Sequence, residues 1–447
     1  MNATIDALAR IVGPAHVLAG EVVGDVAVPG VAATLVRPAD ASQVAAVVAR
    51  CYADGVAIVP VGGRSGLAGG AAVVDADADV IALSLERLRA VRSFQPALWR
   101  MEAEAGVTTA TIARLARESG LRFPPDPGAP EQSQLGGTIA TNAGGPHAFK
   151  YGVTGDWVTG IEAVLAPGEI VRVGGALRKD VAGYDLRALL TGSEGTLGVV
   201  TAAWLRFVPA PAAQLPIVVA YPDAAAGCAA LLRVLESGVE PAALEYFDEA
   251  TMRACGIAFP DGALRGFVVV AEADGSAAEA ERVLAELREA LAEGADAMLE
   301  PRSPRALWRW RDGVSSAVAA VRGAKRSEDV AVPVDRLREA IAATLRIGAR
   351  HDLPACSWGH AGDGNLHATF LLQPGDAAQR ARADAAAGEL FELALALGGT
   401  VTGEHGIGLL KAGQLRRQWA PAAVAAQRAI KVALDPKGLF NPGKKQP

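Results

Sequence analysis

Three of the six histidines fall in two glycine-flanked motifs. The first, W-G-H-A-G-D-G-N-L-H at 358–367, carries His360 and His367. The second, G-G-T-V-T-G-E-H-G-I-G at 398–408, sets Glu404 beside His405. Two imidazoles and a carboxylate make a competent ligand set for Zn²⁺ or another divalent first-row ion such as Mn²⁺ or Fe²⁺, with a position left for substrate. The spacing of the two histidines is not diagnostic by itself, since such pairs also occur in cores and on surfaces. Their company points to a site: Gly359, Gly362, Gly364, Gly403, Gly406 and Gly408 permit close main-chain approach, and Trp358 supplies an apolar wall. Ionisable groups in poorly solvated surroundings are typical of chemistry rather than scaffolding.

Three further stretches are poor in side-chain bulk. P-V-G-G-R-S-G-L-A-G-G at 60–70 follows an apolar run; consecutive glycines let main-chain N–H groups converge on an anion. It fits neither G-x-G-x-x-G nor the Walker A pattern. P-P-D-P-G at 124–128 leads to L-G-G-T-I-A-T-N-A-G-G at 135–145, and T-G-S-E-G-T-L-G-V-V-T at 191–201 repeats the theme. Such runs make a bad core but a good wall against a flat ring. Tight turns alone are the plainer alternative. The apolar segment 304–322 carries L-W-R-W-R at 307–311, and an Arg fork suits both oxygens of a carboxylate.

These groups need a scaffold, and the pattern around them reads as α+β. From Val36 to Val208 short apolar runs alternate with helical segments. Asp40 and Gln43 form a capping-box signal for a helix ending at Gly55, followed by a strand over 57–61. Strands are predicted over 80–85 and 101–107, and a helix from Thr108 or Thr109 to Gly120. Pro209 to Pro216 marks a boundary. Beyond it come strand 217–221, helix 223–237, strand 265–272, helices 276–293 and 304–322, strand 329–332 and helix 335–350, as for one sheet covered by helices. The final D-P-K-G-L-F-N-P-G at 435–443 is expected to dock rather than dangle. The predicted domains are 1–210, 211–425 and a segment 426–447 returning to the first.

At 447 residues the chain exceeds the roughly 250–300 at which single cores split. A net charge of −6 and a pI near 5.7 argue against nucleic acid. Cys51, Cys228, Cys255 and Cys356 lie far apart and read as small buried hydrophobes in a reducing compartment. The N-terminus lacks a signal-peptide pattern, and no stretch approaches the ~20 apolar residues of a membrane span. A cytoplasmic location is expected, with peripheral membrane docking left open. So is the assembly, for which a homodimer is one option.

The three glycine-rich stretches, with R-K-D-V-A-G-Y-D-L at 178–186, resemble the FAD domain of the vanillyl-alcohol-oxidase, or PCMH-type, flavoproteins. The resemblance implies a two-subdomain FAD-binding domain and an α+β cap domain with a largely antiparallel sheet. It implies that Gly62, Gly63, Arg64, Ser65, Gly66 and Leu67 hold the FAD pyrophosphate. It assigns Pro125, Gly136, Gly137, Thr141, Asn142, Gly145, Gly152, Val153, Glu194, Gly195 and Val200 to the flavin. Some relatives tether FAD through a His in a G-G-x-H loop; Arg64 and Ser65 stand there here, so non-covalent FAD is expected.

G-H-x-G-D-G-N-x-H and G-E-H-G-I-G resemble the D-2-hydroxy-acid dehydrogenase branch: D-lactate, glycolate and D-2-hydroxyglutarate dehydrogenases. That resemblance implies His360, His367 and Glu404 as metal ligands, His405 as general base, Arg311 as the substrate-carboxylate residue and Asn441 near the flavin. Arg309 is expected on a solvated face. Members acting on D-2-hydroxyglutarate have a Lys where Ser327 stands, so a monocarboxylate is expected, although Lys325 and Arg326 are close enough to substitute. The other readings are a metal-independent FAD oxidase and a metal-dependent hydrolase with inert glycine loops. With no C-x-x-C-H and no Cys cluster, electrons must leave to an external acceptor: a quinone, an electron-transfer flavoprotein or a cytochrome.

Overall fold

The computed structural model describes residues 2–75, 77–255 and 264–445. The chain divides into two compact units: Met1–Gly145, Val153–Pro209 and Glu404–Pro447 form one, Pro146–Gly152 and Ala210–Gly403 the other. The chain re-enters the first unit at Glu404, earlier than the predicted 426, because no change of composition marks that junction. The excursion Pro146–Gly152 has no sequence signal either.

In the first unit Val17–Val23, Val31–Val36, Val80–Ser84 and Ala57–Val61 lie side by side in that order, the first pair antiparallel and the rest parallel. A second, antiparallel sheet runs Val91–Gln95, Arg100–Glu104, Val199–Arg206, Val158–Leu165 and Glu169–Gly174. The helix Ala41–Asp54 is capped by Asp40, which accepts from the Gln43 N–H at 2.8 Å. Gln43 Oε1 reaches back to the Ala39 N–H rather than to Asp40. Val44, Val47, Val48 and Cys51 form its buried stripe and pack in one core with Ile58, Ile81, Leu83 and Phe440. Each such side chain contributes about 1.5–3 kcal/mol by leaving water. Phe440 belongs to the last segment, whose main chain pairs with Ile58 through two 2.8 Å bonds, Ile58 N to Leu439 O and Asn441 N to Ile58 O. The Asp435 carboxylate accepts from Tyr52 Oη at 2.7 Å and from the Phe440 N–H at 2.8 Å.

The second unit is built on a seven-stranded antiparallel sheet in the order Ala297–Leu299, Ala213–Tyr221, Phe267–Gly275, Ala243–Phe247, Ala355–His360, Asn365–Leu372 and Ala324–Ala331. Helices Ala224–Glu236, Ala277–Ala292, Leu337–Arg350 and Ala377–Ala396 pack beside one another along it. The helices Pro304–Ala320 and Glu249–Cys255 pack on Val218, Val268, Phe247 and Trp358.

Two strands are longer than predicted. Ala213–Tyr221 runs through Pro216, tolerated because Ala297–Leu299 pairs only with Val218–Ala220 and leaves the edge beside the proline open. Ala324–Ala331 begins before 329, in the charged stretch Lys325–Asp329, which has no apolar alternation. It is the edge strand of the sheet, where charged residues discourage further pairing. Among the described residues no helix is long and apolar enough to cross a membrane. All four cysteines are buried.

Candidate active site

In the first unit the strand Ala57–Val61 ends in the loop 62–70. Gly63 must be glycine, since a β-carbon there would stand 1.8 Å from the Gln132 carbonyl oxygen. Arg64 adopts φ 58° and donates from Nη1 to Val22 O at 3.2 Å. Ser65 Oγ lies 3.0 Å from Ser133 Oγ. The second glycine-rich stretch is a short helix, Leu135–Thr141, rather than an open turn. Gly136 lets it pack on Ala105, and it ends at Asn142 in the left-handed region with φ 53°. Asn142 Oδ1 accepts from the Gly155 N–H at 2.8 Å, and Thr141 Oγ1 bonds back to Gly137 O at 3.0 Å. Both side chains therefore serve the local backbone, leaving main chain as the surface on offer.

Room exists beside it. Gly137 has open space where a β-carbon would stand, and the Gly62 β-carbon position is 3.7 Å from both the Gly137 main chain and Gln134 Oε1. Among the described residues that buried Gln134 oxygen has no hydrogen-bond partner. Glycine-lined space with an unmet polar atom is what a polar cofactor would fill.

The remaining flavin candidates behave differently. Glu194 is buried at φ 53° and its carboxylate accepts from the N–H groups of Ile407 at 2.9 Å and Gly408 at 2.7 Å. It secures the G-I-G loop following His405. Asn441 donates to Gly70 O at 2.9 Å and Glu194 O at 2.7 Å, tying the last segment to two glycine-rich loops. Val153 starts a turn capped by Asp156, Pro125 and Val200 are buried, and Leu67 is exposed. Gly145 and Gly195 take positive φ values. Gly152 belongs to the second unit's excursion.

In the second unit the strand register builds the site. Antiparallel pairing sets Val270, Glu245, His360 and Asn365 in one row across the sheet, and Val268, Phe247, Trp358, His367 and Asp329 in the row two residues along. His360 and His367, in rows two residues apart and so on the same face, are both buried, with ring centroids 5.5 Å apart. The turn 361–364 joins their strands. Gly364, at φ 66°, is required because a β-carbon would meet Val332 O at 1.9 Å. Trp358 packs against His367 at 5.8 Å, as its wall role requires.

Arg311 reaches this face from the helix Pro304–Ala320, while Arg309 is exposed. Arg311 Nε donates to Glu245 Oε2 at 2.7 Å, and Glu245 Oε1 bonds to His360 Nδ1. Glu245 is fully buried. Burial alone would raise its carboxyl, but Arg311 and His360 outweigh it and hold the group below the usual carboxylate range. Sequence reasoning missed Glu245, which sits in an otherwise apolar strand. It also missed Asp329, whose Oδ2 accepts from Thr402 Oγ1 and the Gly403 N–H, both at 3.0 Å. Glu404 follows directly in the chain. His405 Nε2 lies 3.7 Å from Glu404 Oε1.

Ser327 Oγ pairs with Thr369 Oγ1 at 2.8 Å. Lys325 lies over the Trp358 ring at 5.1 Å and bonds to Ser315 Oγ, and burial pushes its ammonium down to about 8. Arg326 pairs with Glu328 at 2.7 Å. His147 and Trp308 both bond the buried Glu272, at 3.1 and 2.6 Å, a cluster with no sequence signal.

Residues 32–174 match the FAD binding domain family, and residues 210–445 match the family described as FAD linked oxidases, C-terminal domain. The glycolate oxidase subunit GlcD of Bacillus subtilis is 34% identical, over 92% of this chain and 88% of its own. A probable mitochondrial D-lactate dehydrogenase of Danio rerio is 33% identical over 92% and 83%, and a D-2-hydroxyglutarate dehydrogenase of Xanthomonas citri is 35% identical over 91% and 88%. Among solved structures, p-cresol methylhydroxylase aligns with a TM-score of 0.81 at 16% identity, covering 99% of this chain and 96% of that one. The 4-ethylphenol oxidase of Gulosibacter chungangensis aligns at 0.78 and 18%, covering 100% and 97%. These two establish the PCMH-type fold.

Proposed function

The chain belongs to the FAD-linked oxidases, and from that membership we propose that it oxidises a small D-2-hydroxy acid, of the D-lactate or glycolate kind, to the 2-oxo acid. The names of its relatives share one chemical element, an α-hydroxyl beside a carboxylate, and that element is what we carry over. The observation that carries the reading is the pair of buried imidazoles, His360 and His367, on the sheet face that also presents Arg311.

The loop 62–67 and the main chain around Gly136, Gly137 and Gly195 would hold non-covalent FAD, whose flavin supplies the acceptor for the substrate's α-hydride. His360, His367 and Glu404 would hold a divalent ion, Zn²⁺ in the first instance with Mn²⁺ or Fe²⁺ also suited, supplying Lewis acidity at the substrate hydroxyl and carboxylate. Arg311, its Nε held by Glu245, is the cation that would face the substrate carboxylate. His405 takes the hydroxyl proton on its imidazole, the lone pair of a ring nitrogen serving as the base. Trp358 keeps water from one flank. The electrons would leave to an external acceptor: a quinone, an electron-transfer flavoprotein or a cytochrome.

A second reading, oxidation of D-2-hydroxyglutarate, is favoured by Lys325, whose Nζ faces Trp358 on the same sheet face. The test is a dye-reduction screen of D- and L-2-hydroxy acids, with and without chelator, alongside metal analysis. D-selective turnover of a monocarboxylate that falls on chelation supports the proposal. Faster turnover of the five-carbon dicarboxylate selects the second reading. Chelator-insensitive peroxide release in air points to a metal-independent oxidase and sinks the metal assignment.

A further inference from the structure

We propose that Glu245 is a positioning residue that sets the tautomer of His360 and orients Arg311 with one carboxylate, a role that rests on the metal reading above. Glu245 stands directly opposite His360 across the strand pair Ala243–Phe247 and Ala355–His360. Its two oxygens divide the work: Oε1 bonds to His360 Nδ1 and Oε2 accepts from Arg311 Nε at 2.7 Å. A neutral imidazole carries one proton, and a carboxylate can only accept. Nδ1 is therefore the protonated nitrogen, and Nε2 keeps the lone pair a metal requires. The approach of Arg311 Nη2 to the same Nδ1, at 3.4 Å, is the longer contact and cannot be a hydrogen bond once Nδ1 holds its proton.

Both consequences follow from burial. A fully buried carboxylate between a guanidinium and an imidazole has no water to share, so neither partner can turn without leaving a charge unmet. Outer partners of this kind fix ring orientation and ligand basicity, and their loss typically weakens metal binding by about 10–100-fold. The same carboxylate fixes the plane of the Arg311 fork, so metal and carboxylate sites are aligned by one side chain.

Two measurements test this on the FAD-loaded protein. Zn²⁺ alone is titrated against a chromogenic chelator into wild type, E245Q and E245D, each checked for flavin content and helical signal. E245Q, which keeps the shape but must turn an amide N–H toward one donor, is expected to bind Zn²⁺ about 10–100-fold more weakly. E245D, retaining the charge, should recover part of that. Affinities within about threefold of wild type in folded E245Q would overturn the proposal while leaving the metal reading intact. A wild type that binds no divalent ion sinks both. Should the variants fail to fold, the second measurement suffices. In ¹⁵N-histidine-labelled wild type loaded with Zn²⁺, with His360 assigned through H360Q, long-range ¹H–¹⁵N correlations should show Nδ1 protonated and Nε2 ligated. Ligation through Nδ1 overturns the proposal.

Discussion

Asp329 and Gly403 share a forked hydrogen bond: the Gly403 N–H donates to both the side-chain Oδ2 of Asp329, at 3.0 Å, and its main-chain oxygen, at 3.1 Å. Thr402 Oγ1 adds a bond to the same Oδ2 at 3.0 Å. Asp329 is fully buried and pairs in register with His367. It thus pins the chain one residue before Glu404 to the strand beside a proposed ligand. Asp329→Ala removes the side-chain bonds to Thr402 and to the Gly403 N–H, each worth about 0.5–1.5 kcal/mol. It should also weaken Zn²⁺ binding by about tenfold or more, with FAD content unchanged. Zinc and flavin quantified on one sample check this; equal zinc in wild type and variant would show that the segment is held in some other way.

A second prediction concerns the end of the chain. Phe440 is fully buried in the core that holds Ile58 and the Ala41–Asp54 helix. Flanking main-chain bonds pair its segment with the strand feeding the 62–70 loop. Phe440→Ala is expected to destabilise the protein by about 3–5 kcal/mol and to lower FAD retention, because the strand's other side loses its support. Chemical denaturation followed by flavin fluorescence separates the two effects. An unchanged midpoint would mean the segment lies on the unit without supporting it.

Candidate residues stood out in the sequence more readily than their mounting. His360, His367 and Glu404 drew notice because glycines flank them, and the glycine-rich loops because they offer main chain with little side-chain bulk. Arg311 was legible by type. Glu245 was not, because its neighbours in Ala243–Phe247 make it look like a polar interruption in a core strand; only the register opposite His360 gives it meaning. Asp329 was hidden the same way, in a charged edge strand whose inward face appears only after pairing. Glu194 and Asn441 carried a different risk. Their motifs pointed to the flavin, yet their side chains bond to the loop after His405 and to the main chain of Gly70 and Glu194. Motif membership identifies a neighbourhood, and contacts decide which atoms serve it.

Lys444 yields a pH prediction. Its side chain is buried, Nζ donates to Asn441 Oδ1 at 2.6 Å, and burial pushes the ammonium down to about 8 although Asp25 and Glu194 lie near enough to oppose the shift. Below about pH 8 both folded and unfolded chains hold the proton, and the folded state bears the cost of burying it. Between about 8 and the ordinary 10.5 the unfolded chain binds more protons, so stability rises with pH by at most about 3 kcal/mol. Lys444→Met removes that cost at neutral pH. The variant should be the more stable form at pH 7, with the gap narrowing as pH approaches 9.5. Urea midpoints for both proteins across that range check the sign, and a gap that widens with pH would refute it.

His405 allows the sharpest separation of chemistry from structure. Its imidazole Nε2 lies 3.7 Å from Glu404 Oε1, and the loop beyond it is held by Glu194 through main-chain N–H groups alone. Removing the imidazole should therefore leave the Ile407 and Gly408 anchors in place. His405→Ala is expected to slow substrate-driven flavin reduction by about 10²–10⁴-fold, the usual range for a lost general base, with FAD and zinc content unchanged. His405→Gln should be no better, since an amide cannot take a proton near neutrality. A variant that sheds its flavin would instead make His405 a support for the loop.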